Sequence, residues 1–214
     1  MNIEFRFLGR IDFEEGLALQ NQLVEQVYAG EIGDTCLLLE HEPVYTIGRT
    51  RDRSSLIGEP ESLPHPVVEI NRGGQATYHG PGQLVGYFML DLHRYGQDLH
   101  TYLRAIEEAI IDFLKANGVS DAGRREGLTG VWVEDRKMAS IGVGVRKWIS
   151  MHGFALNVER DLTGFESIVP CGIQGVEMTS LERESGVDWT VEKAAIEIEK
   201  FIVTALANLA RLKG

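Results

Sequence analysis

The sequence predicts a single α+β domain over residues 1–214. Two observations carry that reading. Amphipathic helical segments at 13–29, 99–117 and 190–212 are separated by short strand-like apolar runs, and no internal repeat, low-complexity tract or linker divides the chain. A chain of 214 residues is also long enough to bury a substantial core.

The elements follow in order. Asp12-Phe13-Glu14-Glu15 has the form of a capping box. The helix it opens places Phe13, Leu17, Val24, Val27 and Tyr28 on one face and stops at Gly30. Cys36–Leu39 reads as a buried strand, and Val44–Ile47 as a second after the turn at Glu42-Pro43. Arg49 to Pro66 holds three prolines and no periodicity, so a long loop is expected there. Val67–Asn71 then reads as a strand delivering a glycine-rich stretch, from which Leu84–Leu90 returns. The helix from Leu99 to Asn117 carries Leu103, Ile106, Ile110, Phe113 and Leu114 at helical spacing, with Gly118 closing it. Thr129–Glu134 and Lys137–Val145 form a hairpin around Asp135-Arg136, and Gly153–Val158 adds a strand. After a loop to Cys171, Thr179-Ser180-Leu181-Glu182 suggests a short capped helix. The last helix, from Thr190 to about Leu212, carries Val191, Ala194, Ile198, Ile202, Leu206 and Leu209.

Composition excludes several classes. The apolar and charged fractions, 43% and 25%, are those of an ordinary globule, and no apolar run approaches membrane-spanning length. The N-terminus does not read as a signal peptide, and two cysteines make no disulfide framework. A cytoplasmic protein with reduced thiols is expected, with no membrane partner. A net charge of −11 argues against nucleic-acid binding, which needs concentrated Lys and Arg. The basic residues nevertheless bunch, at Arg49, Arg51 and Arg53, at Arg124 and Arg125, and at Arg136, Lys137, Arg146 and Lys147. Gathered on one face, they would steer an acidic molecule to it.

The chemistry concentrates around the glycine-rich stretch Arg72-Gly73-Gly74-Gln75-Ala76-Thr77-Tyr78-His79-Gly80-Pro81-Gly82-Gln83. Its glycines permit close approach of a ligand to the main chain, so it is either a wall holding an uncharged chain or a glycine-rich hairpin with a solvated tip. It is not a nucleotide loop: the glycine spacing misses the dinucleotide fingerprint by one residue and leads into a strand, where that fingerprint opens a helix. Cys36, beside three leucines, reads as a core thiol. Cys171 sits between Pro170, which fixes its own φ, and Gly172, which clears space, so it is presented at a bend as either a structural residue or a nucleophile. A nucleophilic cysteine needs a cation or a histidine nearby, and Lys137, His79 and His152 are the candidates. Lys137 begins the small, apolar segment Met138–Gly144 and is either desolvated there or a hairpin-tip lysine in water. No metal-ligand spacing occurs among the six histidines, and no Gly-x-Ser-x-Gly elbow is present. Residue chemistry alone stops at a candidate cysteine acyl-transfer site.

Four ordered motifs extend that reading. Arg72–Gln83, Lys137-Met138-Ala139-Ser140-Ile141-Gly142, His152-Gly153-Phe154-Ala155-Leu156-Asn157 and Pro170-Cys171-Gly172-Ile173 together resemble, in order and spacing, the lipoyl(octanoyl) transferase family. The resemblance spans nearly the whole chain and departs only at tolerant positions such as Ala76 and Phe154. It implies a fold like the catalytic domain of biotin and lipoate protein ligases, with mixed, mostly antiparallel sheets flanked by helices. It implies transfer of an octanoyl or lipoyl group from acyl carrier protein to a lysine of lipoyl domains. Those acceptors are the E2 subunits of 2-oxoacid dehydrogenases and the glycine cleavage H protein. Cys171 is then the acyl-thioester nucleophile and Lys137 the partner that lowers its pKa. Arg72, Gly73, Gly74, Gln75, Ala76, Thr77, Tyr78 and His79 would line the acyl pocket, with Ser140, Ile141, Gly142, His152, Gly153 and Phe154. No metal, ATP or redox cofactor is implied, and the chain is expected to act as a monomer. The rival readings are an ATP-dependent lipoate ligase of the same fold, an amidotransferase between lipoyl-bearing proteins, and a carrier-binding module without activity. Because the carrier and the lipoyl domains are acidic like this chain, a local basic rim is expected from Arg49, Arg51, Arg53, Arg146 and Lys147.

Overall fold

The structure is a computed structural model that describes residues 2–173 and 175–211, the Cys171 side chain excepted. The strands are β1 (Glu4–Ile11), β2 (Thr35–His41), β3 (Val44–Ile47), β4 (Val67–Glu69), β5 (Thr77–His79), β6 (Gln83–Met89), β7 (Ala122–Arg125), β8 (Leu128–Val133), β9 (Arg136–Arg146), β10 (Ile149–Asn157) and β11 (Glu177–Met178). The helices are α1 (Phe13–Ala29), α2 (Leu99–Ala116), α3 (Leu181–Ser185) and α4 (Val191–Arg211). The large sheet runs β1-β2-β6-β10-β9-β8-β7, antiparallel except for β1 with β2, and β11 adds to β9 in parallel. A small sheet, β4-β3-β5, stands beside it. The fold is therefore the α+β class with mostly antiparallel sheets and flanking helices.

The centre of the large sheet is covered on both faces, which is why β2 and β6 read as unbroken apolar runs rather than as alternations. One face carries Leu37, Leu39, Val85 and Tyr87 against Leu23, Val24 and Val27 of α1. The other carries Leu38, Leu84, Phe88 and Leu156 against α2 and α4, through Ile106, Ile110, Ile198 and Ile202. A third cluster, with Tyr45, Ile47, Tyr78, Phe165 and Ile168 at its centre, joins the small sheet to the segment before Cys171.

The helices fall where periodicity puts them, with local corrections. Asp12 is the N-cap of α1 by backbone geometry, yet its side chain makes no cap bond, so the expected capping box does not form. Tyr28 leaves the apolar stripe and is 53% exposed, its ring lying 4.0 Å beneath the Lys147 ammonium. At α2 the cap is Asp98, which accepts from the His100 and Thr101 amides, and at α3 it is Ser180, which accepts from Arg183 N. β1, β5, β7 and β11 are strands beyond those the sequence pattern marks, and β10 starts four residues before Gly153.

Candidate active site

Lys137 is the second residue of β9, opposite Trp132 of β8 and Met178 of β11, and its carbonyl accepts the Thr179 amide at 2.9 Å. It is not a hairpin-tip residue in water. Only 2% of it is exposed, and its ammonium stands 5.2 Å from the centroid of the Trp132 ring. Gly130 makes that burial geometrically feasible. It adopts φ +130°, and a Cβ there would lie 2.5 Å from the Ala139 carbonyl and 2.9 Å from Lys137 Cε. The Gly130 amide is itself anchored on Oε1 of Glu107, a fully buried carboxylate of α2 whose other oxygen takes Arg104 and Arg124.

Along β9 from Lys137, the glycine stretch closes over β9 and β10 to form a cavity of about 490 Å³, its open mouth included. Arg72, Gly73, Gly74, Thr77 and His79 line it from above, and Ser140, Ile141, Gly142, His152, Gly153 and Phe154 line it from the sheet. Thus eleven of the fourteen residues expected around an acyl chain surround one cavity, and three do not. Ala76 and Tyr78 point instead into the third core cluster, Tyr78 edge-on to Phe165. The reason is strand alternation in β5, which turns Tyr78 away from the face that Thr77 and His79 present. Gln75 lies against Gly172.

Phe13, Ile70, Tyr87 and Ala155 complete the wall and were not singled out by the sequence pattern. Tyr87 is legible in part, because it follows the glycine stretch at a β6 position whose neighbours are all apolar or glycine. His41 stands behind that wall, its Nδ1 3.1 Å from the Ile11 carbonyl and its Nε2 2.7 Å from the Tyr87 hydroxyl. The carbonyl can only accept, so Nδ1 carries the proton and the Tyr87 hydroxyl donates to Nε2. Gly16 leaves the space for this imidazole, since a Cβ there would come within 2.9 Å of His41 Cε1.

The polar groups of the wall are mutually committed. Arg72 donates to the Gly73 and Thr46 carbonyls and to Thr46 Oγ1, at 2.8–2.9 Å, so this cation ties the small sheet to the glycine stretch. Gln83 spends its amide on the Tyr78 carbonyl and Asn157 Oδ1, so its Oε1 accepts from His79 Nδ1 at 2.8 Å. Asn157 continues the chain to the Thr179 carbonyl, beside Lys137. Burial, then the neighbouring His41, hold His79 down to about 3; burial, then Arg72, hold His152 down to about 4. Both imidazoles are neutral at physiological pH. His152 also adopts φ +61°, and its Nε2 is buried with no hydrogen-bond partner among the described residues.

Cys171 is the middle residue of a 3-10 turn, Pro170–Gly172, closed by Gly172 N to Val169 O at 2.9 Å. Its side chain lies outside the described residues. Cys36 is a core thiol whose pKa burial pushes up, as its leucine neighbours imply. Among the described residues no cluster of three His, Cys, Asp or Glu is arranged to hold a metal, and no helix is long and apolar enough to cross a membrane.

The basic residues are less free than their sequence suggests. Arg51 and Arg53 both pair with Glu69, and Arg146 and Lys147 with Glu25. Arg49 has no ion pair among the described residues, and with Arg51 it borders an open recess that shares Ile70 with the cavity.

A family model described as the lipoyl protein ligase A/B catalytic domain matches residues 12–203. The chain belongs to that family. Among its relatives, an octanoyltransferase of Geobacter sulfurreducens is 52% identical over 87% of this chain and 77% of its own length. One from Acidobacterium capsulatum is 44% identical over 100% of this chain and 91% of its own. Solved structures share the fold at lower identity. A bi-partite lipoate protein ligase of Thermoplasma acidophilum superposes with a TM-score of 0.71 at 16% identity, covering 99% and 92% of the two chains. Biotin protein ligase of Aquifex aeolicus gives 0.60 at 15%, covering 97% and 72%. Lipoyl ligase A/B chains and biotin ligases thus share the sheet-and-helix frame in which this cavity lies.

Proposed function

We propose that this chain transfers an octanoyl group from acyl carrier protein to a lysine of lipoyl domains, through a thioester on Cys171. The octanoyl transfer rests on the relatives, octanoyltransferases 44% to 54% identical over most of the chain. The site supports the rest. The cavity has a mostly apolar wall, part of it on the strand that carries Lys137, closed by glycines that let an acyl chain pack against main chain. At about 0.8 kcal/mol per buried methylene, a wall of this kind selects chain length by contact.

The Cys171 thiolate attacks the donor's thioester carbonyl, the bond to the carrier sulfur breaks, and the carrier leaves as its thiol after taking a proton from the Lys137 ammonium. The acceptor lysine's amine then attacks the enzyme thioester, a C–N bond forms, and the cysteine thiolate is released as the amine's proton is lost. The first step exchanges one thioester for another, and the second runs downhill to an amide, so no nucleotide is consumed. Lys137 stabilises the thiolate as an ammonium and accepts the incoming amine's proton as an amine. The acceptors are the lipoyl domains of dehydrogenase E2 subunits and the glycine cleavage H protein. The single-domain, monomeric, cytoplasmic organisation expected from the sequence belongs to the same proposal.

The test is intact mass after mixing the protein with octanoyl-acyl carrier protein without ATP, beside Cys171→Ser. The expected result is a gain of one octanoyl group that the variant lacks. Activity appearing only with ATP and free octanoate or lipoate would replace this reading by the ligase.

A further inference from the structure

We propose that Gln75 is a positioning residue, which clamps the Cys171 turn, and that it makes no acyl contact. This rests on Cys171 being the nucleophile. Gln75 sits within the glycine stretch but does not line the cavity. Its carboxamide occupies the place where residue 172 would carry a side chain: a Cβ on Gly172 would fall 1.5 Å from Gln75 Oε1. Gly172 also adopts φ +69°, so glycine is required there both by conformation and by the Gln75 contact.

The carboxamide is itself held at both ends. Its Nε2 donates to Asp52 Oδ2 at 2.9 Å, which fixes the amide's orientation, and its Oε1 accepts from Ser55 Oγ at 2.8 Å. Ser55 grips the nucleophile's segment as well, because its carbonyl accepts the Val169 amide at 2.7 Å. The same loop continues along that segment, with Ile57 N bonded to Ser167 O and Leu56 bridging Ile168. One side chain of the cavity-forming stretch therefore fixes the turn that presents the nucleophile relative to the cavity that holds the acyl group. A misplacement of about 1 Å between reacting groups slows a reaction by roughly 100-fold.

The experiment compares Gln75→Ala, Gln75→Met, Gly172→Ala and the Gln75→Ala/Gly172→Ala double variant. Octanoyl-enzyme formation from octanoyl-pantetheine is followed by intact mass, and Cys171 alkylation by iodoacetamide is followed across pH. For Gln75→Ala the saturating rate is expected to fall roughly 10- to 100-fold, with the half-saturating concentration little changed. Gln75→Met keeps the bulk against Gly172 but loses both hydrogen bonds, and should fall likewise. Gly172→Ala should be severely impaired alone and partly recovered in the double variant, where the added methyl no longer meets the carboxamide. A raised half-saturating concentration at an unchanged rate would make Gln75 an acyl-wall residue, and a double variant no better than Gly172→Ala would deny the contact. Should the unaltered protein form no octanoyl adduct, the transferase reading fails on its own. The alkylation profile then still decides the clamp, which is refuted if Gln75→Ala leaves it unchanged.

Discussion

Gly130→Ala tests how the fold makes room for a buried lysine. Residue 130 sits at φ +130°, where L residues are rarely found, and such a conformation costs on the order of 1–3 kcal/mol. The new methyl would also stand 2.5 Å from the Ala139 carbonyl, a main-chain atom in the paired strand that cannot swing aside. Overpacking of that kind adds about 1–3 kcal/mol. A loss of about 2–6 kcal/mol is therefore expected, which for a chain of this size lowers Tm by roughly 4–24 °C. Gly127→Ala supplies the control. Gly127 adopts φ +74° with open space around its Cβ position, so it should show only the conformational part, about 1 kcal/mol. Denaturant unfolding of both variants measures the difference. Because the methyl would also lie 2.9 Å from Lys137 Cε, Gly130→Ala should slow octanoyl-enzyme formation while Gly127→Ala does not. Equal losses of stability in the two variants, with acylation unaffected in both, would refute the argument that Gly130 shapes the Lys137 slot.

Stability should also depend on pH through the buried imidazoles. His41, His79 and His152 titrate near 4, 3 and 4 in the folded chain, against about 6.5 unfolded. Between those values the unfolded chain binds more protons, so this contribution is complete above pH 6.5 and is lost as pH falls toward 3 to 4. Urea unfolding at intervals from pH 7.5 to 4 should show a decline of several kcal/mol, on the order expected for groups so displaced, and a flat profile to pH 4.5 would contradict it. Arg49→Glu should raise the apparent KM for octanoyl-acyl carrier protein and leave turnover of octanoyl-pantetheine nearly unchanged, since Arg49 borders the recess next to the cavity and has no ion pair among the described residues. Equal losses with both donors would remove that recess as a carrier contact.

Local spacing makes the helices and the α+β class legible, and the motif resemblance supplies most of the cavity wall. Helical periodicity marks α2 and α4 because each buries one stripe against the sheet, and a stripe is written in local spacing. The resemblance of the four motifs to a known family, and not their spacing, groups Arg72, Ser140 and His152 in one site, and all three line the cavity. Tertiary structure decided what spacing cannot encode. β1 carries a legible alternation, from Ile3 to Phe7, but its parallel pairing with β2 across α1 is not written in that pattern. β10 begins early because Lys147 and Trp148 make a turn with φ of 54° and 62°, a conformation with no Asn-Gly signal in the sequence to announce it. Lys137 follows a hairpin turn and reads as solvated from position; the fold buries it beside Trp132, with Gly130 leaving the room. Gln75 stands among wall residues in the chain yet touches the Cys171 turn, 97 positions away at Gly172. Local spacing fixes which face a residue presents, whereas desolvation and contact depend on what the rest of the chain brings to that face.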